Sequence, residues 1–141
     1  MPIVGVVIPT HRFDGWLDES VTSALASTGV NVRVVVVANG LAELAPRDWA
    51  QDPRVTLLHF TEALGSGGAM IPGLDALDTE FVARLDADDR MRPDRLVQQA
   101  QYLSEHPDTP LVATAVQRIT EAGKPAGSIR MPTGGDVRRH L

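Results

Sequence analysis

Apolar positions along this chain alternate between short continuous runs and longer stretches with helical spacing. Residues 3–8 and 32–37 are runs of mainly β-branched residues, which is typical of strands buried on both faces of a parallel sheet. Between them, apolar residues recur every three or four positions from Leu17 to Thr28, with Asp14 as a candidate N-cap and Gly29 as a stop signal. This part of the chain therefore predicts one β-α-β unit.

Two further strands are predicted at residues 54–60 and 80–85. A helical pattern lies between them but contains Pro72, so this helix either begins late, with Pro72 in its first turn, or is kinked there. The clearest helical pattern comes next, with Pro93 at its first position and His106-Pro107 at its end.

The last part of the chain has a weaker pattern. Residues 110–119 predict a fifth strand, residues 121–124 have the composition of a turn, and residues 136–141 are a candidate helix start. Strands and helices thus alternate along the chain, which predicts an α/β fold with a mostly parallel sheet. Because ligands bind at the carboxyl ends of the strands in such folds, functional residues are expected in the loops there.

Composition narrows the class of protein. The 141 residues are 43% hydrophobic and 22% charged, which is typical of one globular domain and excludes a disordered or collagen-like chain. The formal net charge of −5 and the scattered basic residues argue against nucleic acid as a partner. The absence of cysteine excludes a disulfide scaffold, a cysteine-ligated zinc site and a thiol nucleophile. Since no apolar run is long enough to span a membrane, we expect a cytoplasmic protein, either free or peripheral to the inner membrane face.

Three carboxylates follow the predicted strand at residues 80–85. Asp86, Asp88 and Asp89 repel one another, and such carboxylates are typical ligands of Mg²⁺ or Mn²⁺, with substrate phosphates completing the shell. The alternative is a solvated acidic loop that caps the helix at Pro93. Arg84 lies on the same side of the strand as Asp86, so we expect it either to form an ion pair that shapes the loop or to reach a ligand.

Several short motifs follow one another in a fixed order. They are Pro9-Thr10 after the first strand, Asn39-Gly40 after the second, Gly65 leading to Gly73-Leu74, and residues 83–89 followed by Pro93, Arg95, Leu96 and Gln99. In this order they resemble the motifs of family 2 glycosyltransferases of the GT-A fold, over about the first 120 residues. The resemblance implies a Rossmann-like three-layer sandwich in which residues 1–120 form the nucleotide-sugar donor domain. Residues 121–141 would begin the acceptor side or form a tail, and the chain is expected to be truncated before the acceptor-binding half.

The resemblance also implies an activity. Such an enzyme transfers a sugar from a nucleoside diphosphate sugar, expected to be a UDP-sugar, with inversion, to an unknown glycan, lipid or small-molecule acceptor. By position in the motif, Asp88 would ligate a Mn²⁺ or Mg²⁺ ion that bridges the diphosphate, Asp86 would share the metal or contact the donor's ribose, and Asp89 would support the site. Pro9 and Thr10 would line the base pocket, although Thr10 is equally well explained as an ordinary loop hydroxyl.

The chain departs from the family pattern at two places. Asn39 stands where the family usually has an Asp that accepts the N3–H of uracil; its carbonyl can still accept, but Asn39-Gly40 is also explained as a simple turn. Met70 and Ile71 stand where many members have an Arg-Asn pair. The family's general base lies downstream of the metal motif and is not identified in this chain, so we expect metal-dependent nucleotide binding with little transfer.

Two other functions and some weaker site candidates stay open. The chain is alternatively a non-catalytic sugar-nucleotide-binding or assembly module, or a phosphatase of the haloacid dehalogenase type, whose Asp-x-Asp motif normally lies on the first strand. His11 is a weak candidate for a phosphate or sugar contact, and Arg95 is expected to pair with local acids. Trp16, Trp49 and His59 are expected to serve packing.

Overall fold

The computed structural model describes residues 1–130, and the chain divides into two compact units, residues 1–101 and residues 102–141. The elements that begin in the first unit are β1 (Ile3–Thr10), α1 (Gly15–Leu25), β2 (Asn31–Asn39), β3 (Val55–Phe60), α2 (Gly65–Asp75), β4 (Phe81–Arg84) and α3 (Arg95–Glu105), with a 3₁₀ turn at Asp48–Gln51. The four strands form one parallel sheet in the order β3-β2-β1-β4. This confirms the predicted α/β fold with a mostly parallel central sheet.

Both faces of this sheet are covered, which explains the continuous apolar runs of β1 and β2. Successive side chains of a strand point to opposite faces, so even and odd positions enter different cores. The core on one face joins strand positions 4, 6, 8, 32, 34 and 36 to Leu17, Val21 and Ala24 of α1 and to Leu96 of α3. The core on the other face joins Val7, Val35 and Val37 to Ala69 of α2. The expected three layers are therefore present in the first unit.

The ends of α1 and α3 follow the sequence signals closely. α1 begins at Gly15 because Asp14 is its N-cap, with Oδ1 accepting from the Trp16 N–H at 3.1 Å. α3 ends at Glu105, directly before His106-Pro107, but begins at Arg95, two residues after Pro93. The predicted start was slightly early because the chain at 93–94 still forms a turn.

Helix α2 contains Pro72 in its interior. It begins at Gly65 and continues past Pro72 to Asp75, so the prediction of a late start, with Pro72 in the first turn, is wrong. Pro72 lies inside α2 although it cannot donate a helical hydrogen bond. α2 packs tightly on the sheet, since a Cβ on Gly73 would overlap Cγ1 of Val7 in β1.

The described part of the second unit contains a β-hairpin. β5 (Val116–Ile119) and β6 (Pro125–Ile129) pair in antiparallel fashion and form a sheet of their own. The prediction of a fifth strand at 110–119 is confirmed for residues 116–119, whereas residues 110–115 are not a strand. β5 does not continue the alternating parallel pattern, because the short link to β6 permits only an antiparallel partner. The turn signal at 121–124 is confirmed, with Gly123 at φ +74°. The candidate helix start at 136–141 lies outside the described residues.

Candidate functional site

A cavity of about 510 Å³ lies where β1, β2 and β4 end and α2 begins. These elements meet because parallel strands bring their carboxyl ends to the same edge of the sheet, and the volume is typical of small-molecule sites. Six of the seven residues that the sequence predicts for the site line the cavity, and Asp89 does not. The six are Pro9, Thr10, Asn39, Arg84, Asp86 and Asp88.

The loop after β1 is shaped by the hydroxyl of Thr10. Thr10 is buried, and its Oγ1 donates to the Arg12 carbonyl at 2.5 Å and accepts from the Arg12 N–H at 3.1 Å. This local pair of bonds agrees with the interpretation of Thr10 as a loop hydroxyl. By fixing the turn, Thr10 presents Pro9, His11 and Arg12 to the cavity.

The side chain of Asn39 joins the end of β2 to the start of α2. Its Oδ1 accepts from the Leu64 N–H at 2.7 Å, and its Nδ2 donates to the Gly65 carbonyl at 3.3 Å. Gly40 follows with φ +74°, a conformation that favours glycine and fits the turn predicted there. Both polar groups of the Asn39 amide are thus engaged within the protein.

The acidic loop after β4 is held by its backbone and by an ion pair. Arg84 contacts Asp86 Oδ1 through Nε at 3.0 Å and Nη2 at 2.9 Å, so the expected pairing on one side of the strand is confirmed. Both side chains are about half exposed, and such pairs contribute little to stability. The backbone closes a turn with the Asp89 N–H donating to the Asp86 carbonyl at 3.1 Å.

Like charges accumulate in this loop. Burial raises the pKa of Asp89, and the charges of Asp88 and Asp86 raise it further, while Arg95 opposes them. Burial lowers the pKa of Arg95, and the charge of Asp89 partly offsets this. Arg95 donates hydrogen bonds to neutral oxygens, to Gln99 Oε1 at 3.1 Å and to the Arg84 carbonyl at 3.4 Å, rather than pairing closely with an acid as expected.

Serine side chains on one face of α1 position the acidic loop, a role that was not predicted from the sequence. The fully buried Ser20 donates from Oγ to the Asp86 carbonyl at 3.0 Å, and Ser23 Oγ accepts from the Met91 N–H at 3.1 Å. Ser27 Oγ lies 3.7 Å from Met91 Sδ. Ser20 and Ser23 are three residues apart on α1, and Ser27 follows just after the helix; this helical spacing was the signal in the sequence.

The aromatic residues differ in role. Trp16, expected to serve packing, lines the cavity from the first turn of α1. Trp49 is buried as expected and donates from Nε1 to Asp18 at 2.8 Å. His59 has its Nε2 2.6 Å from the Leu41 carbonyl and so supports the turn after β2.

The donor set of the acidic loop fits a divalent cation that is shared with a ligand. Within residues 1–130, no three His, Asp or Glu side chains come together as a closed metal site. Asp86 and Asp88 nevertheless line the same cavity. One or two carboxylates, with phosphate and water completing the shell, are the usual protein ligands of Mg²⁺. The negative charges of Asp88 and Asp86, which add to the effect of burial on the pKa of Asp89, also favour a cation at this loop.

The chain belongs to glycosyl transferase family 2, whose family model matches residues 5–138. It is 33% identical to the succinoglycan biosynthesis protein ExoO of Rhizobium meliloti over 99% of the chain and 39% of that protein. It is 25% identical to the O-antigen biosynthesis glycosyltransferase WbnJ of Escherichia coli over 100% of the chain and 57% of that protein. The chain therefore spans about two fifths to three fifths of the length of these relatives.

Solved structures agree on the fold. TarS of S. aureus, residues 1–349 in complex with UDP-GlcNAc, matches with a TM-score of 0.63 and 19% identity, over 74% of this chain and 32% of that one. The mannosyltransferase PcManGT of Pyrobaculum calidifontis, in complex with GDP-Man and Mn²⁺, matches with a TM-score of 0.63 and 25% identity, over 83% of this chain and 36% of that one. The expectation of a GT-A fold is confirmed. Within residues 1–130, no helix is long and apolar enough to cross a membrane.

Proposed function

We propose that this chain forms the donor-binding part of an inverting glycosyltransferase that takes a nucleoside diphosphate sugar, in the first instance a UDP-sugar. The observation that carries the proposal is the single cavity lined both by the loops after β1 and β2 and by Asp86 and Asp88. This arrangement supports a donor site in which the loops would form a wall for the nucleotide and the carboxylates would face its diphosphate. All the residues concerned lie within the donor domain expected at 1–120.

The three carboxylates of the acidic loop would have different roles in binding the donor. Asp88 would hold a Mn²⁺ or Mg²⁺ ion, and Asp86, oriented by Arg84, would share the ion or contact the donor's ribose. Asp89 would support the loop from outside the cavity. When bound, the ion would supply Lewis-acid stabilisation of the departing diphosphate. The relatives support this assignment, since one solved structure holds UDP-GlcNAc and another GDP-Man with Mn²⁺.

The family assignment favours a transferase over the haloacid dehalogenase alternative. The fold supports the same choice, because the acidic loop follows β4 at one edge of the sheet and not the first strand. A non-catalytic binding module would have the same donor site, so only turnover of a UDP-sugar, including slow hydrolysis, distinguishes it from an enzyme.

Calorimetric titration tests the proposal. UDP, GDP, CDP and ADP are titrated into the chain with and without Mn²⁺, and then into Asp88→Asn. We expect UDP binding that requires Mn²⁺ and that Asp88→Asn weakens about tenfold or more, because the ion loses a charged ligand.

The matched control is Asp78→Asn, which removes the same charge from an exposed residue at the other end of β4. This variant should bind as the unmodified chain does. The proposal fails if no nucleotide binds, or if binding depends neither on the ion nor on Asp88.

A further inference from the structure

Hydrogen bonds and close packing fasten the turn after β2 to the loop before α2. The Gly40 N–H donates to the Phe60 carbonyl at 2.9 Å, and a Cβ on Gly40 would lie 3.2 Å from Cβ of Ala63. The two bonds of the Asn39 amide are added to these contacts. The loop at 61–65 therefore lies directly on the end of β2.

Asn39 bonds the backbone at the N-terminus of α2. Leu64 is the N-cap residue of α2, and its side chain cannot accept a hydrogen bond from the first turn of the helix. The N–H of Leu64 itself also needs an acceptor, and Asn39 Oδ1 at the end of β2 supplies it. Asn39 therefore holds the residue from which α2 starts.

Only an amide satisfies both contacts. A carboxylate at position 39 could accept from the Leu64 N–H, but it would face the Gly65 carbonyl oxygen at about the 3.3 Å that now separates Nδ2 from it, and two acceptors repel. Asn39 thus makes a pair of contacts that the Asp implied by the family resemblance could not make in this conformation. Gly65 and Ser66 line the cavity, so the contacts of Asn39 shape its wall.

We propose that Asn39 is a positioning residue, which fastens the loop at 61–65 and so shapes the cavity wall at Gly65 and Ser66, and that it does not select the nucleotide base. This inference rests on the proposed function as far as the ligand is concerned. The fastening itself depends only on contacts within the chain. Asn39 should therefore affect all nucleoside diphosphates alike.

Two measurements on Asn39→Ala and Asn39→Asp test the inference. Amide hydrogen exchange of Leu64, followed by NMR, reports the fastening directly. It should accelerate in Asn39→Ala and stay slow in Asn39→Asp, whose carboxylate still accepts. Calorimetry with UDP and GDP in the presence of Mn²⁺ reports the cavity. Both variants should bind the two nucleotides about fivefold or more weakly, with the ratio of their affinities unchanged.

Asn31 provides the matched control, because it is exposed at the other end of β2. Asn31→Ala and Asn31→Asp should change neither measurement. The inference is overturned if Leu64 exchanges at the same rate in Asn39→Ala as in the unmodified chain, or if Asn39→Asp strengthens UDP binding relative to GDP. If the unmodified chain binds no nucleotide, the proposed function fails, and Leu64 exchange alone decides whether Asn39 fastens the loop.

Discussion

We predict that Gly73→Ala destabilises the protein, because α2 packs too closely on the sheet at this position to accept a methyl group. A methyl group at this position would overlap Cγ1 of Val7 and lie 3.1 Å from Cγ2 of Val37. Both valines are fully buried in the core between α2 and the sheet, so neither has free space into which to move. The helix would have to shift away from the sheet, and with it Gly65 and Ser66 at the cavity.

The expected cost follows from two opposing effects. Forcing one extra methyl into a packed core costs about 1–3 kcal/mol. Alanine is favoured over glycine in a helix by about 1 kcal/mol, which offsets part of that cost. We therefore expect the free energy of unfolding to fall by up to about 2 kcal/mol and the melting temperature to fall by up to roughly 10 °C.

Thermal and denaturant unfolding of Gly73→Ala beside Gly67→Ala checks this prediction. A Cβ on Gly67, in the same helix, meets no atom within 4 Å, so that variant should be as stable as the unmodified chain or slightly more so. In the double variant with Val7→Ala, the new methyl has room, and the two changes should be less damaging together than their sum by about 1 kcal/mol. Equal stability of the two glycine variants, or strict additivity with Val7→Ala, would refute the reasoning.

Two further predictions concern α1 and the start of β3. Ser20→Ala should lower the free energy of unfolding by about 1–3 kcal/mol and weaken UDP binding with Mn²⁺, because the Asp86 carbonyl loses a buried donor. Calorimetry beside Thr22→Ala, a control residue exposed on the same helix, checks this. Equal UDP binding by the two variants would contradict it. The hydrogen bond from the Arg54 side chain, and then that from its N–H, lower the pKa of Asp52 from 3.8 to about 2. Because the folded pKa is the lower one, this contribution to stability is present above about pH 4 and is lost as the pH falls toward 2. Asp52→Asn should therefore flatten the melting temperature against pH in that window, and an unchanged slope would exclude the pair as its cause.

The central sheet could be predicted from the sequence because strands that are buried on both faces are apolar at every position. The runs at 3–8 and 32–37 are apolar at even and odd positions alike, and each set of positions enters one of the two cores. The period of a strand also predicted that Arg84 and Asp86 would share a side. Local rules of this kind are sufficient where both residues belong to the same element or to the two residues directly after it.

Contacts between separate elements, whether near or distant in the sequence, could not be predicted in this way. The pattern at 110–119 could not show that its partner is the strand at 125–129, because apolar spacing does not encode pairing. Asn39 was correctly linked to a turn, but its bonds to Leu64 and Gly65 depend on how closely α2 approaches β2. The roles of Trp16 and Ser20 likewise follow from where α1 lies.

In the acidic loop, the backbone is held by contacts with α1, whereas the carboxylates are exposed. Variants that change the backbone contacts and variants that change the carboxylates must therefore be interpreted differently. The backbone is held from outside, by Ser20 at the Asp86 carbonyl and by Ser23 at the Met91 N–H. Burial is the first cause of the raised pKa of Asp89, and repulsion by Asp88 and Asp86 adds to it, so neutralising Asp88 relieves part of this strain within the fold. A variant of Asp88 that loses ligand binding while it keeps its melting temperature therefore reports on the ligand site alone. Ser20 differs, because loss of its hydroxyl disturbs the backbone that carries the carboxylates and so lowers stability and binding together.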